Sequence, residues 1–173
     1  MPTGPDDVER TDGGADGAED AARLAQYAAD LVHGIEEALP GWVEAQVSRI
    51  MVAWSGEVPP AVRDEAGRAG RAARDELGPQ IRALLALDID EQRTNPMSYV
   101  RAAAAYPTAV LRSVGVPPVE RDARAEAQFP DDDYDLVPTR FADLDPSLHE
   151  AGLLWGAAKA HIHLQRRRRE GRR

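Results

Sequence analysis

The sequence predicts an all-α protein, an irregular bundle of five to seven helices with a disordered acidic N-terminus and a basic C-terminal tail. Two observations carry this prediction. Apolar residues recur at steps of three and four along most of the 173-residue chain, which places them on one side of successive helices. Proline and glycine interrupt this pattern, and no segment has the strict alternation of apolar and polar residues typical of a strand.

The two ends of the chain carry opposite charges and set the predicted domain limits. Residues 1–17 are acidic and lack an apolar period, so we predict a disordered leader there. Residues 165–173 hold six arginines and one glutamate and form the predicted basic tail. The chain is short enough for a single helical domain, which we place between the two ends, over residues 18–164.

Proline and glycine set the predicted limits of the helices in the first half. A first helix begins at about residue 18 and stops before Pro40, because proline disfavours helix at the residue before it. A second helix then runs to about Ser55, with Val43, Val47, Ile50 and Trp54 as its apolar stripe. A third opens at Pro59-Pro60, carries mostly small residues on its apolar face, and ends or kinks at Gly78-Pro79.

Capping residues set the predicted limits in the second half. Asn95 precedes Pro96 as an N-cap, and Gly115 is suited to the left-handed backbone that ends a helix. The final helix begins at Asp145-Pro146 and runs to about Arg169. Gly152 and Gly156 lower its helix propensity, which predicts a close helix crossing there. We expect it to bury one stripe, namely Leu148, Ala151, Trp155, Ala158 and Ile162.

Residues 128–145 form a predicted irregular loop that carries aromatic side chains. A loop of this length is unusual in a compact domain and often has a function. Its aromatic residues are Phe129, Tyr134 and Phe141, and Trp155 follows in the last helix. These four residues are the candidate partner-binding surface.

The acidic run Asp131–Asp135 raises the alternative of a metal-dependent enzyme. It does not match an EF-hand, because the sixth position is Leu136 instead of glycine and the twelfth is Ala142 instead of glutamate. The alternative instead uses Asp131 and Asp133 with one of the histidines.

Three histidines are the other candidates for metal ligands. On a helix, His161 and His163 point about 200° apart, so they cannot bind one ion together. His149 lies twelve residues before His161 and could serve as a further metal ligand, but no spacing requires it. We therefore predict no metal site from the histidines alone.

The basic tail is the one concentrated charge feature and predicts the first alternative function, nucleic-acid binding. Its arginines could contact nucleic-acid phosphates by releasing counterions. The candidate residues are Arg166, Arg167, Arg168 and Arg169. The same charges favour a helix C-terminus and could instead pair with the acidic leader, within one chain or between copies.

Several classes of site lack their sequence signals. The chain has no cysteine, which excludes disulfides, thiolate metal sites and a cysteine nucleophile. It shows no glycine-flanked serine elbow and no glycine-rich phosphate loop, so we predict no cofactor and do not favour an enzyme. It also has no apolar run long enough for a signal peptide or a membrane span, so we expect a cytoplasmic protein without a membrane partner.

Two segments, residues 93–122 and 141–166, resemble a group of uncharacterised actinobacterial all-helical proteins. That group has no assigned activity, so the resemblance implies no site residue. It implies a cytosolic protein from a GC-rich actinobacterial genome, and the excess of arginine over lysine, 20 to one, fits such a genome. The leading functional hypothesis is a non-enzymatic helical module that binds protein or assembles with itself.

Overall fold

Six α-helices and one 3₁₀ turn form the regular structure of residues 15–87 and 93–171, the parts that the computed structural model describes. The helices are α1 (Ala15–Ser55), α2 (Pro60–Leu85), α3 (Met97–Ala102), α4 (Ala105–Ser113), α5 (Ala123–Gln128) and α6 (Leu148–Glu170). The 3₁₀ turn covers Phe141–Asp143. These residues contain no strand, so the predicted all-α class is confirmed.

Helix α1 runs through the position where the sequence predicted a break. It is 41 residues long and continues through Pro40, so the prediction of two separate helices is wrong. A proline inside a helix costs about 3 kcal/mol. Buried apolar residues on both sides of Pro40, among them Leu39, Trp42 and Val43, outweigh this cost. Trp54, which was expected on the same stripe, is instead 49% exposed.

Helix α2 packs along α1 through its small residues, as its apolar pattern predicted. Ala66, Gly70 and Ala73 are buried. A Cβ atom at Gly70 would lie 2.8 Å from both the Cα and the carbonyl oxygen of Pro40, so the two backbones touch at this point. Of the two alternatives predicted at Gly78-Pro79, an end of the helix is wrong, because α2 continues through Pro79 to Leu85.

The capping signals of the second half mark the start of α3 and the end of α4 as predicted. The Asn95 Oδ1 atom accepts a hydrogen bond of 3.1 Å from the Met97 backbone N–H at the start of α3. Gly115 has φ of +77° just after α4, where the left-handed end was expected. Pro107 lies in the first turn of α4, a position where proline removes no helical hydrogen bond.

Tyr106 links α4 to α2 and makes the stability of the protein dependent on pH in the alkaline range. Its hydroxyl donates a hydrogen bond to the Glu76 carboxylate. Burial, followed by this bond, raises the pKa of Tyr106 to about 12, whereas an unfolded tyrosine ionises near pH 10. The unfolded chain therefore releases the proton first, and the contribution of Tyr106 to stability is complete below about pH 10 and is lost as the pH rises through about 12.

We predict that Tyr106→Phe makes the protein less sensitive to alkali. The free energy of unfolding of the wild type should fall between about pH 10 and pH 12 more steeply than that of the variant. Urea unfolding at several pH values in this window measures both slopes. Equal slopes would contradict the assignment.

Helix α6 lies against α1 but buries much less than the sequence predicted. Of its residues only Leu148 is fully buried, whereas Ala151, Trp155, Ala158 and Ile162 are half-buried. Helix α6 thus packs on the surface of the bundle through one side only. We call this half-buried stripe the inner side of α6. None of the helices in the described ranges is long and apolar enough to cross a membrane.

The helix ends do not coincide with the predicted domain limits. Helix α1 begins at Ala15, within the predicted leader, and α6 continues to Glu170, within the predicted basic tail. Asp16 in the first turn of α1 and the arginines in the last turn of α6 both favour the helix dipole, and the end of α6 agrees with the predicted helix end near Arg169. The rest of the leader, residues 1–14, lies outside the described residues, as do residues 88–92 and 172–173.

Candidate functional site

Arg121 fixes the start of the 128–145 loop. Its side chain is only 4% exposed and donates hydrogen bonds to the carbonyl oxygens of Phe129, at 2.7 Å, and Ala125, at 2.8 Å. These bonds provide donors for backbone carbonyl oxygens at the C-terminal end of α5. Asp122 caps the N-terminal end of the same helix. The loop is therefore held at its entrance by a buried cation that the sequence analysis missed.

The acidic run stabilises the loop itself. The buried Asp132 carboxylate accepts hydrogen bonds of 2.8–2.9 Å from the backbone N–H groups of Leu136 and Val137. The Asp133 carboxylate accepts a 2.6 Å hydrogen bond from the Arg112 Nε atom of α4. These carboxylates serve the folding of the loop, which gives a structural reason for their clustering.

A groove of about 640 Å³ lies between α3, α4 and this loop. Its volume is within the range of small-molecule sites. Phe129 is half-buried in its wall, with the Arg101 guanidinium 5.8 Å from the ring centre. Arg112 and Asp132, two of the polar residues around the groove, already have hydrogen-bond partners within the protein.

Tyr134 belongs to the core and not to a surface. It is 1% exposed, and its hydroxyl donates a 2.7 Å hydrogen bond to the Val116 carbonyl oxygen. The ring anchors the loop beneath the turn that follows α4. The prediction that Tyr134 binds a partner is therefore wrong, because the fold encloses its side chain.

Phe141, in the 3₁₀ turn, and Trp155, in α6, are both half-buried. They lie away from the groove wall that contains Phe129. A Cβ atom at Gly152 would lie 2.6 Å from the Phe141 ring, so this glycine makes room for the aromatic side chain. The Lys159 ammonium lies 5.2 Å from the centre of the Trp155 ring and donates to the Thr94 carbonyl oxygen. The four predicted aromatic residues thus occupy three environments and do not form one surface.

The close helix crossing predicted at Gly152 and Gly156 is absent. Gly152 faces a side chain of the preceding loop, and no atom lies within 4 Å of a Cβ atom placed on Gly156. Glycine makes room between helices elsewhere, at Gly70 of α2 against Pro40 of α1 and at Gly34 of α1 against Leu148 of α6.

The histidines and the acidic loop do not meet. The His161 Nε2 atom lies 3.3 Å from the Asp20 carboxylate of α1. His149 is twelve residues earlier on the same helix, about 18 Å away along its axis. No group of three histidine, aspartate or glutamate residues in the described ranges is arranged to hold a metal ion.

The basic tail continues α6, and its arginines lie on two sides of the helix. Successive residues are rotated by about 100°. Arg166 and Arg169 therefore lie on the inner side, where the Arg169 guanidinium is close to Gly17 at the start of α1. Arg167 and Arg168 lie on the outer side and are exposed. The four arginines do not form a single phosphate-facing row.

The exposed side of α6 carries a second apolar stripe that the sequence analysis missed. We call it the outer face of α6, defined by Leu153, Ala157, Ala160 and Leu164. Their spacings of four, three and four residues place them together, opposite the half-buried inner stripe. Leu153 is 60% exposed and Leu164 is 55% exposed, and the neighbouring Leu154 is 43% exposed.

Comparisons of the chain with protein-family models, with curated proteins and with solved structures found no significant match. The resemblance to an actinobacterial group therefore stays a prediction.

Proposed function

We propose that this protein is a non-enzymatic interaction module that binds another protein surface through α6. The outer face of α6 is the observation that carries this proposal. Single exposed leucines are common on protein surfaces, but a contiguous apolar stripe on an exposed helix is typical of an interaction site.

The energetics of the outer face favour association. Covering apolar surface contributes about 25 cal/mol per Å². Leu153 and Leu164 leave more than half of their surfaces in water, so a partner helix would remove much of that area. The two alanines between them allow a partner backbone to approach closely, at an axis distance of about 8 Å.

Nucleic-acid binding through Arg166–Arg169 receives less support. The four arginines lie on two sides of α6, and Arg169 is next to the start of α1. The acidic balance of the chain, with a net charge of −9, also repels a polyanion at long range. Deleting the chain after Leu164 should therefore change retention on DNA very little at about 0.15 M salt.

A photo-crosslinking amino acid at position 153 tests the proposed function in cells of the native host. We expect irradiation to give a covalent adduct, and Leu164→Glu, on the same face, to abolish it. The same amino acid at the exposed Asp64 position of α2 is the matched control. If position 153 gives no adduct beyond that of position 64, the proposal is wrong.

A further inference from the structure

We propose that the occupant of the outer face is the outer face of a second copy of this chain, packed antiparallel. This inference rests on the proposed function and names its partner. It is drawn from the order of residues along the face and from the charges at its two ends.

The outer face is symmetric about a point between Ala158 and Lys159. Leu153 and Leu164 lie equally far from this point, and Ala157 and Ala160 lie equally far inside them. A two-fold axis through this point sets each leucine against the leucine of the other copy and each alanine against an alanine. Such self-complementarity is what an isologous dimer interface requires.

The charges extend the same symmetry by one turn at each end. Glu150 precedes Leu153 by three residues, and Arg167 follows Leu164 by three. Both side chains are exposed, and neither forms an ion pair with another residue of the described ranges. Antiparallel packing sets Glu150 of one copy against Arg167 of the other, twice, whereas parallel packing would set like charges together.

The spacing along the face fits close helix packing. Glu150, Leu153, Ala157, Ala160, Leu164 and Arg167 follow one another at alternating steps of three and four residues. This is the a/d spacing of a coiled-coil seam, and antiparallel helices also oppose their dipoles favourably. The outer face can therefore interdigitate with its own copy over about three turns.

The acidic leader is a poor occupant of the outer face, and a pair of helices sets the expected strength of the dimer. Residues 1–14 contain only Met1 and Val8 as large apolar side chains, so they offer little apolar surface to the outer face. A single pair of helices is smaller than the roughly 800 Å² per partner of a standard stable interface. We therefore expect a weak dimer, with a dissociation constant in roughly the micromolar range.

Charge reversal tests the register of the pair. Glu150→Arg or Arg167→Glu alone should each raise the dimer dissociation constant about tenfold, because both end contacts become repulsive. Combining the two substitutions in one chain, or mixing the two single variants, should restore the wild-type constant. Restoration cannot result from damage to the fold. If the double variant or the mixture has a dissociation constant as high as that of the single variants, the antiparallel register is wrong.

Introduced thiols separate this inference from the proposed function, since the chain has no cysteine of its own. We expect a mixture of Leu153→Cys and Leu164→Cys chains to form a disulfide-linked dimer under mild oxidation. Either variant alone should not, because its two thiols would be about 16 Å apart along the pair.

The remaining outcomes distinguish a failure of this inference from a failure of the proposed function. Cross-linking of each single variant with itself would indicate parallel packing and overturn the inference. Absence of any disulfide, together with a position-153 photo-adduct that is not twice the mass of the chain, would overturn self-pairing and leave the proposed function standing. Absence of both products would overturn both.

Discussion

Replacing Gly70 with alanine should lower the free energy of unfolding by about 2–3 kcal/mol, although alanine is the better helix former by about 1 kcal/mol. The new Cβ atom would lie 2.8 Å from two backbone atoms of Pro40. Backbone atoms inside a packed helix pair cannot move aside as the end of a flexible side chain can. Helices α1 and α2 must therefore separate, which loosens the core between them. Urea unfolding followed by circular dichroism measures the change.

Gly41→Ala is the matched control for Gly70→Ala. Gly41 lies in the middle of α1, and no atom lies within 4 Å of the position that its Cβ atom would take, so the added methyl group meets open space. This substitution should stabilise the protein by up to about 1 kcal/mol through helix propensity alone. The account of the crossing is contradicted if the two variants change stability in the same direction.

Truncating Tyr134 to alanine should destabilise the protein by about 3–5 kcal/mol, the usual cost of removing a buried aromatic ring. The ring is fully buried and holds the 128–145 loop onto the turn after α4. Tyr134→Phe keeps the ring and removes only the bond to Val116, so it should cost about 1–2 kcal/mol. Phe129→Ala, in the half-exposed wall of the groove, should cost less than Tyr134→Ala.

Thermal or urea unfolding of the three variants ranks these costs. A Tyr134→Ala protein as stable as the wild type would mean that the loop is not docked. A Tyr134→Phe protein as unstable as Tyr134→Ala would mean that the hydrogen bond of the hydroxyl contributes more than the packing of the ring.

Local backbone signals predicted the starts and ends of helices better than their interruptions. Asn95, Gly115 and Asp145 act through their own side chains or backbone angles, so their positions can be read without the fold. Pro40 and Pro79 are different, because a helix continues through proline when packing on both sides outweighs the lost hydrogen bond. That packing depends on which helix lies opposite, which periodicity does not reveal.

The aromatic residues of the loop show a second limit of sequence reasoning. Phe129 and Tyr134 are five residues apart in an irregular segment, so no period distinguishes the buried ring from the half-exposed one. Their environments depend on Arg121 and Asp132, which fold the loop through contacts that its composition does not encode.

The outer face of α6 was readable from the sequence but was hidden by a competing pattern. The inner stripe containing Trp155 and the outer stripe containing Leu153 follow the same helical period on opposite sides. A search for one buried face selects the stripe with the larger aromatic residue and discards the other. A helix that is apolar on both sides, at the surface of its own domain, is the sequence signal of a helix with a further partner.

Sedimentation equilibrium of the full chain, from below to well above micromolar concentration, tests the self-pairing of α6 most directly. We predict an average mass that rises with concentration toward twice that of one chain. In Leu153→Glu with Leu164→Glu the mass should stay at one chain, with an unchanged helical circular dichroism spectrum. A wild-type protein that remains a single chain throughout, or a double variant that still dimerises, would contradict the account.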